Sequence, residues 1–292
     1  MALCSRFPTS FCQIALQCSD AEEYNYLQRI VFIQYQPIAG SNMKTLLLPL
    51  IFFATVTQFA AAADKPAGAA PAKERNGLPL VFHEDFSEGE KAIEKFDLLD
   101  PTDWKMSKNA AGKWVLNLFK KPTEASAGKP AVRSPFGRAM VKDLYVGDFV
   151  MEVKFTSTIK AYGHQDLCLY FGEVDPTHLY YVHFGRKPDP NAGNIFIVDG
   201  APRKNLLLPH DKGIDWTEKE HTARIIRKSD GLIQAYFDDR LWLEVRNERF
   251  PIGRVGVGSF DDTGEFSEIT VWGKKAEKSA APAKEAAKGE TK

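Results

Sequence analysis

The 292-residue chain is short of cysteine, of net charge and of helical patterning, and each shortage removes a class of protein. Of its four cysteines, Cys4, Cys12 and Cys18 fall within residues 1–42 and show no metal-site spacing. Only Cys168 follows. One such thiol gives no internal disulfide framework, so the fold must rest on its core. Cys168 lies in an apolar run, which predicts a buried, inert thiol rather than a nucleophile. Thirty-eight basic and 38 acidic side chains cancel. No nucleic acid is expected as the main partner, because that interface needs a basic surface. There is no Gly-rich phosphate loop and no Cys/His cluster that suggests zinc.

Long apolar runs are also missing. Met43-Lys44-Thr45 leads into Leu46 to Val56, and Ala60 to Ala63 precede Asp64. A basic start, a short apolar stretch and small residues are the three parts of a secretory signal peptide. The stretch is too short to favour a lasting membrane span, the rival reading being an N-terminal anchor. The expectation is that Met43 is the true start, that residues 1–42 are a mis-called extension, and that residues 43–63 are a signal peptide. The mature chain is then secreted, periplasmic or at the cell surface, with no membrane span. Residues 64–77, rich in Ala, Pro, Lys and Gly, read as a flexible linker. Residues 274–292 hold Lys, Ala, Glu and Pro with almost no large apolar side chains, and read as a disordered tail. Residues 78–273 fit one domain.

What that domain has is alternation. In Phe149 to Phe155 the odd positions are large and apolar while Glu152 and Lys154 intervene, which marks a half-buried strand. Leu167 to Phe171 and Leu179 to Phe184 are apolar on both faces and flank the turn-prone Gly172 to Thr177. They read as a central antiparallel hairpin. Further strands are expected at Asn194–Val198, His221–Arg227, Leu232–Phe237, Leu241–Val245, Gly253–Phe260 and Phe266–Trp272, with one helical turn over Glu88–Phe96. Short strands with turns about every ten residues predict an all-β sandwich or barrel.

Three segments resemble the concanavalin A-like lectin/glucanase superfamily, a laminin-G-like jelly roll. His221-Thr222-Ala223-Arg224-Ile225-Ile226-Arg227, then Gly231, then Ala235 to Leu241, is similar to its "W-H-x-x-R…v-x-v-y-v-D-G-x" segment. Here Trp216 stands earlier than usual and Asp239 replaces the common Gly. Gly253 to Phe260 followed by Phe266 to Val271 resembles the closing pair "G-x-v-G-l…f-d-d-v-x-v". Phe82-His83-Glu84-Asp85-Phe86 resembles the opening "f-x-d-d-F". The resemblance brackets nearly the whole domain and implies an all-β, antiparallel two-sheet jelly-roll sandwich. Among its members the 3-keto-disaccharide hydrolase-like domains of secreted bacterial proteins lie near. Fold alone does not settle function.

The resemblance implies a concave sheet face where sugar binds. Sugar recognition uses aromatic rings against pyranose C–H faces with polar groups around them. Tyr162, His164, Gln165, Asp166, Tyr170, Tyr180, Arg186 and Asn194 supply that mixture. Period-two geometry places Asp166, Cys168 and Tyr170 on one face. A simple hairpin register adds Tyr180, Val182 and Phe184 to it and sends His183 to the other, and a one-residue slip reverses this. His164 and Asp166, at a strand mouth, are equally candidates for acid–base exchange and for an ordinary turn. His183 reads first as a core histidine and second as a base. The superfamily's catalytic Glu-x-Asp-x-(x-)Glu strand is absent, and Glu173-Val174-Asp175 is a fragment in an expected turn. Asp261-Asp262-Thr263-Gly264 reads as a turn. No cofactor is required. A structural Ca2+ is implied by the resemblance alone, with Glu84 and Glu268 as the matching acids, although such an ion takes six or more oxygens.

Two functions fit. One is a secreted carbohydrate-binding domain whose partner is a glycan or oligosaccharide. The other is a glycoside hydrolase or polysaccharide lyase built on His164, Asp166 and His183. A purely structural module is a third reading.

Overall fold

The structure is a computed structural model that describes residues 70–125, 127–128 and 132–278. The expected extension and signal peptide, and most of the expected tail, lie outside the described residues. Fifteen strands follow in chain order: β1 (Glu74–Arg75), β2 (Leu78–Glu84), β3 (Phe96–Leu98), β4 (Trp104–Lys108), β5 (Trp114–Leu118), β6 (Gly137–Ser157), β7 (Cys168–Asp175), β8 (His178–His183), β9 (Asn194–Asp199), β10 (Lys204–Asn205), β11 (His221–Arg227), β12 (Leu232–Phe237), β13 (Arg240–Arg246), β14 (Gly253–Ser259) and β15 (Gly264–Lys275). The expected helical turn is a 3-10 helix over Gly89–Lys95. Among the described residues no helix is long and apolar enough to cross a membrane.

Every pairing is antiparallel, and the 21-residue β6 serves two sheets of a jelly-roll sandwich. Its first half pairs with β3 and β14, and that sheet continues through β7, β8, β9 and β10. Its second half lies between β11 and β15, and that sheet continues through β12 and β13 on one side and β2 and β1 on the other. Strands β5 and β4 extend from the start of β15. Asp143, at φ 54, sits in β6 within the break of register with β14, between Met140 and Tyr145.

The alternation read in Phe149–Phe155 turns Phe149, Met151, Val153 and Phe155 into the shared core. Phe149 meets Phe171, and Phe155 meets Phe184 and Trp216, with ring centroids 6.0, 5.9 and 5.2 Å apart. Strands β7 to β9 are buried on both faces, which is why they lack alternation. A second apolar cluster, with Cys168, Tyr170, Tyr181 and Phe196, covers the outer face of the first sheet. Cys168 is fully buried there and its thiol pKa is pushed up by that burial.

Two boundaries differ from the sequence reading. Glu74–Arg75 folds back on Leu78–Pro79 through Asn76 and Gly77, both at positive φ, so the expected linker ends in a hairpin. The Trp272 indole donates to Ala72 O at 2.7 Å, which ties the same segment down. β15 also runs two residues into the expected tail.

Candidate functional site

The hairpin register decides which side chains share a face. Cys168 stands opposite His183 and Tyr170 opposite Tyr181. This is the one-residue slip from the simple register, so His183 joins Asp166, Cys168 and Tyr170 on the outer face of the first sheet. Tyr180 goes to the opposite face. It is fully buried between the sheets, stacked on Phe171 at 5.2 Å, and its hydroxyl donates to Asn247 Oδ1 and accepts from Phe250 N. The expectation that Tyr180 touches ligand is therefore corrected: it is inter-sheet packing. Tyr170 is on the expected face yet fully buried, its hydroxyl placed 2.8 Å from Gly137 O and 3.2 Å from Ser259 O.

Asp166 is the centre of the site. It is 0% exposed, and its Oδ2 accepts from Ser259 Oγ and Phe260 N, both at 3.1 Å, and from the Cys168 thiol at 3.2 Å. Its Oδ1 has no hydrogen-bond partner and lies 3.7 Å from His183 Nε2. Burial pushes the Asp166 pKa up to about 6. His183 is 3% exposed, and burial, aided by the nearby Arg203 charge, pushes its pKa down to about 3. Its Nδ1 accepts from Gly193 N at 3.2 Å. At neutral pH the ring is uncharged and its proton sits on Nε2, facing the carboxylate.

A second carboxylate, read from the sequence only as part of a turn, completes the group. Asp262 comes from the β14–β15 connection, and its Oδ2 accepts from Asp166 N at 3.0 Å. Its Oδ1 accepts from the Tyr162 hydroxyl at 2.9 Å and lies 3.3 Å from Lys121 Nζ. Burial and the neighbouring Asp166 raise its pKa to about 6. Sequence spacing could not pair residues 96 positions apart; two adjacent acids in an otherwise apolar closing hairpin were the signal available.

Toward solvent the site has a rim. Tyr162 keeps 39% of its surface exposed, with Lys121 Nζ over its ring at 5.6 Å. His164 is exposed and its Nε2 meets Asp189 Oδ2 at 2.6 Å. The segment carrying both is held by Lys187 N to Gly163 O and Arg186 N to Gln165 O, each 3.0 Å. Gln165 is buried and donates to Ser157 Oγ. Arg186 donates to Trp216 O at 3.3 Å and to Gln165 Oε1 at 3.5 Å. Asn194, opposite His183 in β9, is buried with its Oδ1 unpartnered. The structure thus gathers Tyr162, His164, Gln165, Asp166, Tyr170, His183, Arg186 and Asn194 at one end of the first sheet and leaves out Tyr180.

The calcium expectation is corrected. Glu84 pairs with Ile269, so it shares the core-facing side of the sheet with that residue, and the adjacent Glu268 points the other way. Glu84 accepts from Phe86 N and Lys95 Nζ, both at 2.6 Å, while Glu268 binds Lys154 at 3.0 Å. Two acids on opposite faces, each already engaged by an ammonium, do not fit one cation. Among the described residues no group of three or more His, Cys, Asp or Glu is placed to hold a metal.

No protein-family model and no curated protein matches the chain. Solved structures give distant likenesses. Carbohydrate binding module CBM66 from Bacillus subtilis is 16% identical, with 61% of this chain and 95% of that one covered at a TM-score of 0.44. A Bacillus subtilis protein of unknown function with a galectin-like fold is 10% identical, with coverage of 68% and 97% and a TM-score of 0.43. Domain 4 of AbnA, a GH43 extracellular arabinanase from Geobacillus stearothermophilus solved with arabinotriose, is 10% identical, with coverage of 68% and 95% and a TM-score of 0.40.

Proposed function

We propose that this is a carbohydrate-recognition domain of the concanavalin A-like type, acting outside the cytoplasm. The observation that carries the reading is Tyr162. Its ring is exposed at the sheet mouth while its hydroxyl is fixed on buried Asp262. A held aromatic ring is a platform for pyranose C–H groups. Polar groups for sugar hydroxyls are offered by Lys121, 5.6 Å over the ring, and by exposed His164, two residues on in the same segment and paired with Asp189. Their charges are of both signs, which suits a hydroxyl-rich partner better than a strongly charged one. Glycan binding named for the module and the arabinanase domain above is in keeping with this reading. Secretion rests on the leader-like pattern of residues 43–63.

Binding is favoured over hydrolysis or lysis by one observation. Asp166 and His183, the best acid–base candidates, are screened from solvent, and burial holds the His183 ring uncharged with a pKa of about 3. A general base must come within hydrogen-bond reach of its proton.

The test is retention on a polysaccharide panel. Wild type and Tyr162→Phe are expected to bind, and Tyr162→Ala to bind about ten-fold more weakly with its fold intact, as loss of a stacking contact implies. Absence of wild-type binding to every polysaccharide and array glycan sinks the reading. Release of reducing ends or unsaturated products would replace it with the enzymatic one.

A further inference from the structure

Trp114, the first residue of β5, stands apart from the four other tryptophans. Trp104, Trp216, Trp242 and Trp272 are all buried, between 3% and 6% exposed. Trp216, Trp242 and Trp272 also commit their indole N–H groups to main-chain carbonyls. Trp114 is only partly buried, with part of its ring packed against the main core. The rest of it faces an open cleft of about 740 Å³, lined otherwise by Ser87, Glu88, Gly89, Glu90 and Lys91. That size falls within the roughly 300–1,000 Å³ of small-molecule sites. None of these side chains belongs to the Asp166 or Tyr162 group.

The backbone beside the ring is bent to fit it. Phe86 holds φ 60, a region that non-glycine residues rarely enter. Its N–H donates to Glu84 Oε1 at 2.6 Å, and its ring is buried against Phe96 at 6.1 Å, which fixes the turn. Gly89 N then returns to Phe86 O at 3.0 Å. Gly89 holds φ +67, and a Cβ there would lie 3.2 Å from Trp114 Cε2. Glycine thus lets the main chain lie against the indole, while Ser87, Glu88, Glu90 and Lys91 stay exposed on either side of it. A backbone outlier held this firmly by its surroundings points to a working surface.

An accessible indole with polar groups around it suits the C–H face of a sugar. The Ser87 hydroxyl donates and accepts, Glu88 and Glu90 accept, and Lys91 donates, which answers ring hydroxyls. The charges select against ions. Lys108 Nζ already lies over the Trp114 ring at 5.5 Å and Lys95 Nζ holds Glu88 at 2.9 Å, so a cationic ligand meets like charge. An anionic ligand meets Glu88 and Glu90. We infer that this cleft is a second saccharide site, with Trp114 as its stacking ring, that takes a neutral sugar unit. It goes beyond the Tyr162 reading and is separate from it in space. Trp114 begins β5, and Lys121, which lies over Tyr162, is three residues past the other end of that strand. The length of β5 alone, roughly 13 Å, parts the two. Two sites on one domain let a polysaccharide hold it at two points.

The test is acrylamide quenching of tryptophan emission in the full chain. Trp114 supplies the readily quenched part, and the loss of that part in Trp114→Phe checks the assignment. The probes are cellotriose, xylotriose and arabinotriose, with choline and trigalacturonate as charged controls. At least one neutral trisaccharide is expected to protect Trp114, in wild type and in Tyr162→Ala alike. The double variant Glu90→Ala, Lys91→Ala changes only exposed side chains and is expected to weaken that protection about ten-fold with the fold intact. No protection by any neutral trisaccharide overturns the second site, and glycan recognition stands if Tyr162-dependent retention on polysaccharide holds. Absence of both overturns both readings. Protection lost in Tyr162→Ala shows one site rather than two and overturns the inference. Stronger protection by choline or trigalacturonate overturns the neutral-sugar assignment. Protection unchanged in the double variant puts the sugar outside the cleft and overturns it as well.

Discussion

Asp166 and His183 face each other across 3.7 Å of protein interior, and burial acts on them in opposite directions along the pH scale. His183 has a folded pKa near 3 against an ordinary 6.5, so the stability it contributes is full above about 6.5 and lost as pH falls. Asp166 has a folded pKa near 6 against an ordinary 3.8, so its ionisation burdens the fold above about 6, and acidification relieves that burden. Between about pH 6 and 4 the two trends offset one another. Relative to wild type, His183→Gln should therefore gain melting temperature as pH is lowered from 7 to about 4.5. Asp166→Asn should lose it over the same interval. Parallel pH curves for all three proteins would show that neither group titrates as described.

Arg254 links an interior carboxylate to an exterior one. It binds buried Glu173 through two nitrogens, at 2.6 and 3.1 Å, and half-exposed Asp97 at 2.5 Å. Removing the guanidinium strands Glu173 without its counter-charge, which costs about 3–5 kcal/mol. Removing Asp97 takes away only the solvent-screened half and costs about 1 kcal/mol or less. Denaturant unfolding of Arg254→Ala and Asp97→Ala should show that ordering. Equal losses would mean that Glu173 finds another partner.

Close backbone approach sets a third expectation. Gly172 adopts φ +58 within β7, where pairing with β8 shifts between Phe171 and Asp175. A Cβ on Gly253 would sit 2.3 Å from Gly172 C and 2.5 Å from Glu173 N. Those atoms are backbone and have no rotamer to yield. Gly253→Ala should destabilise by on the order of 1–3 kcal/mol, with the β7–β14 pairing the first to lose amide protection in hydrogen exchange. An unchanged unfolding midpoint would contradict the approach.

The parts of the fold that were legible in the sequence are those with a local signal. Phe149 to Phe155 alternates because one face packs and the other meets solvent, and the strand follows. Trp104–Lys108 and Trp114–Leu118 pair across a short connection but carry mixed polar and apolar positions, so they offered no clean period. The start of β6, Gly137–Val141, is buried without a break and lacks alternation for the same reason as β7. The site was half legible. Asp166 and His164 stood out as polar groups at an apolar strand mouth. Asp262 did not, because only the closing of β14 onto β7 brings it to Asp166. Tyr180 was misplaced by one register step, which in a strand reverses the face.

The Tyr162 hydroxyl offers the sharpest separation of structure from recognition. It donates to Asp262 Oδ1, one of the few groups that favour the ionised form of this buried carboxylate. Tyr162→Phe keeps the ring but removes that donor, so Asp262 should titrate higher still, above its value of about 6. A hydrogen bond to a charged group contributes about 1.5–3 kcal/mol when buried. Tyr162 is partly exposed, so a loss of about 1 kcal/mol near pH 7 is expected. The loss should shrink below pH 5, where Asp262 is protonated in both proteins and has less need of the donor. Sugar binding should survive, because the platform is unchanged. Loss of binding in Tyr162→Phe at full stability would show instead that the hydroxyl itself contacts the ligand and that its bond to Asp262 gives way when the sugar arrives.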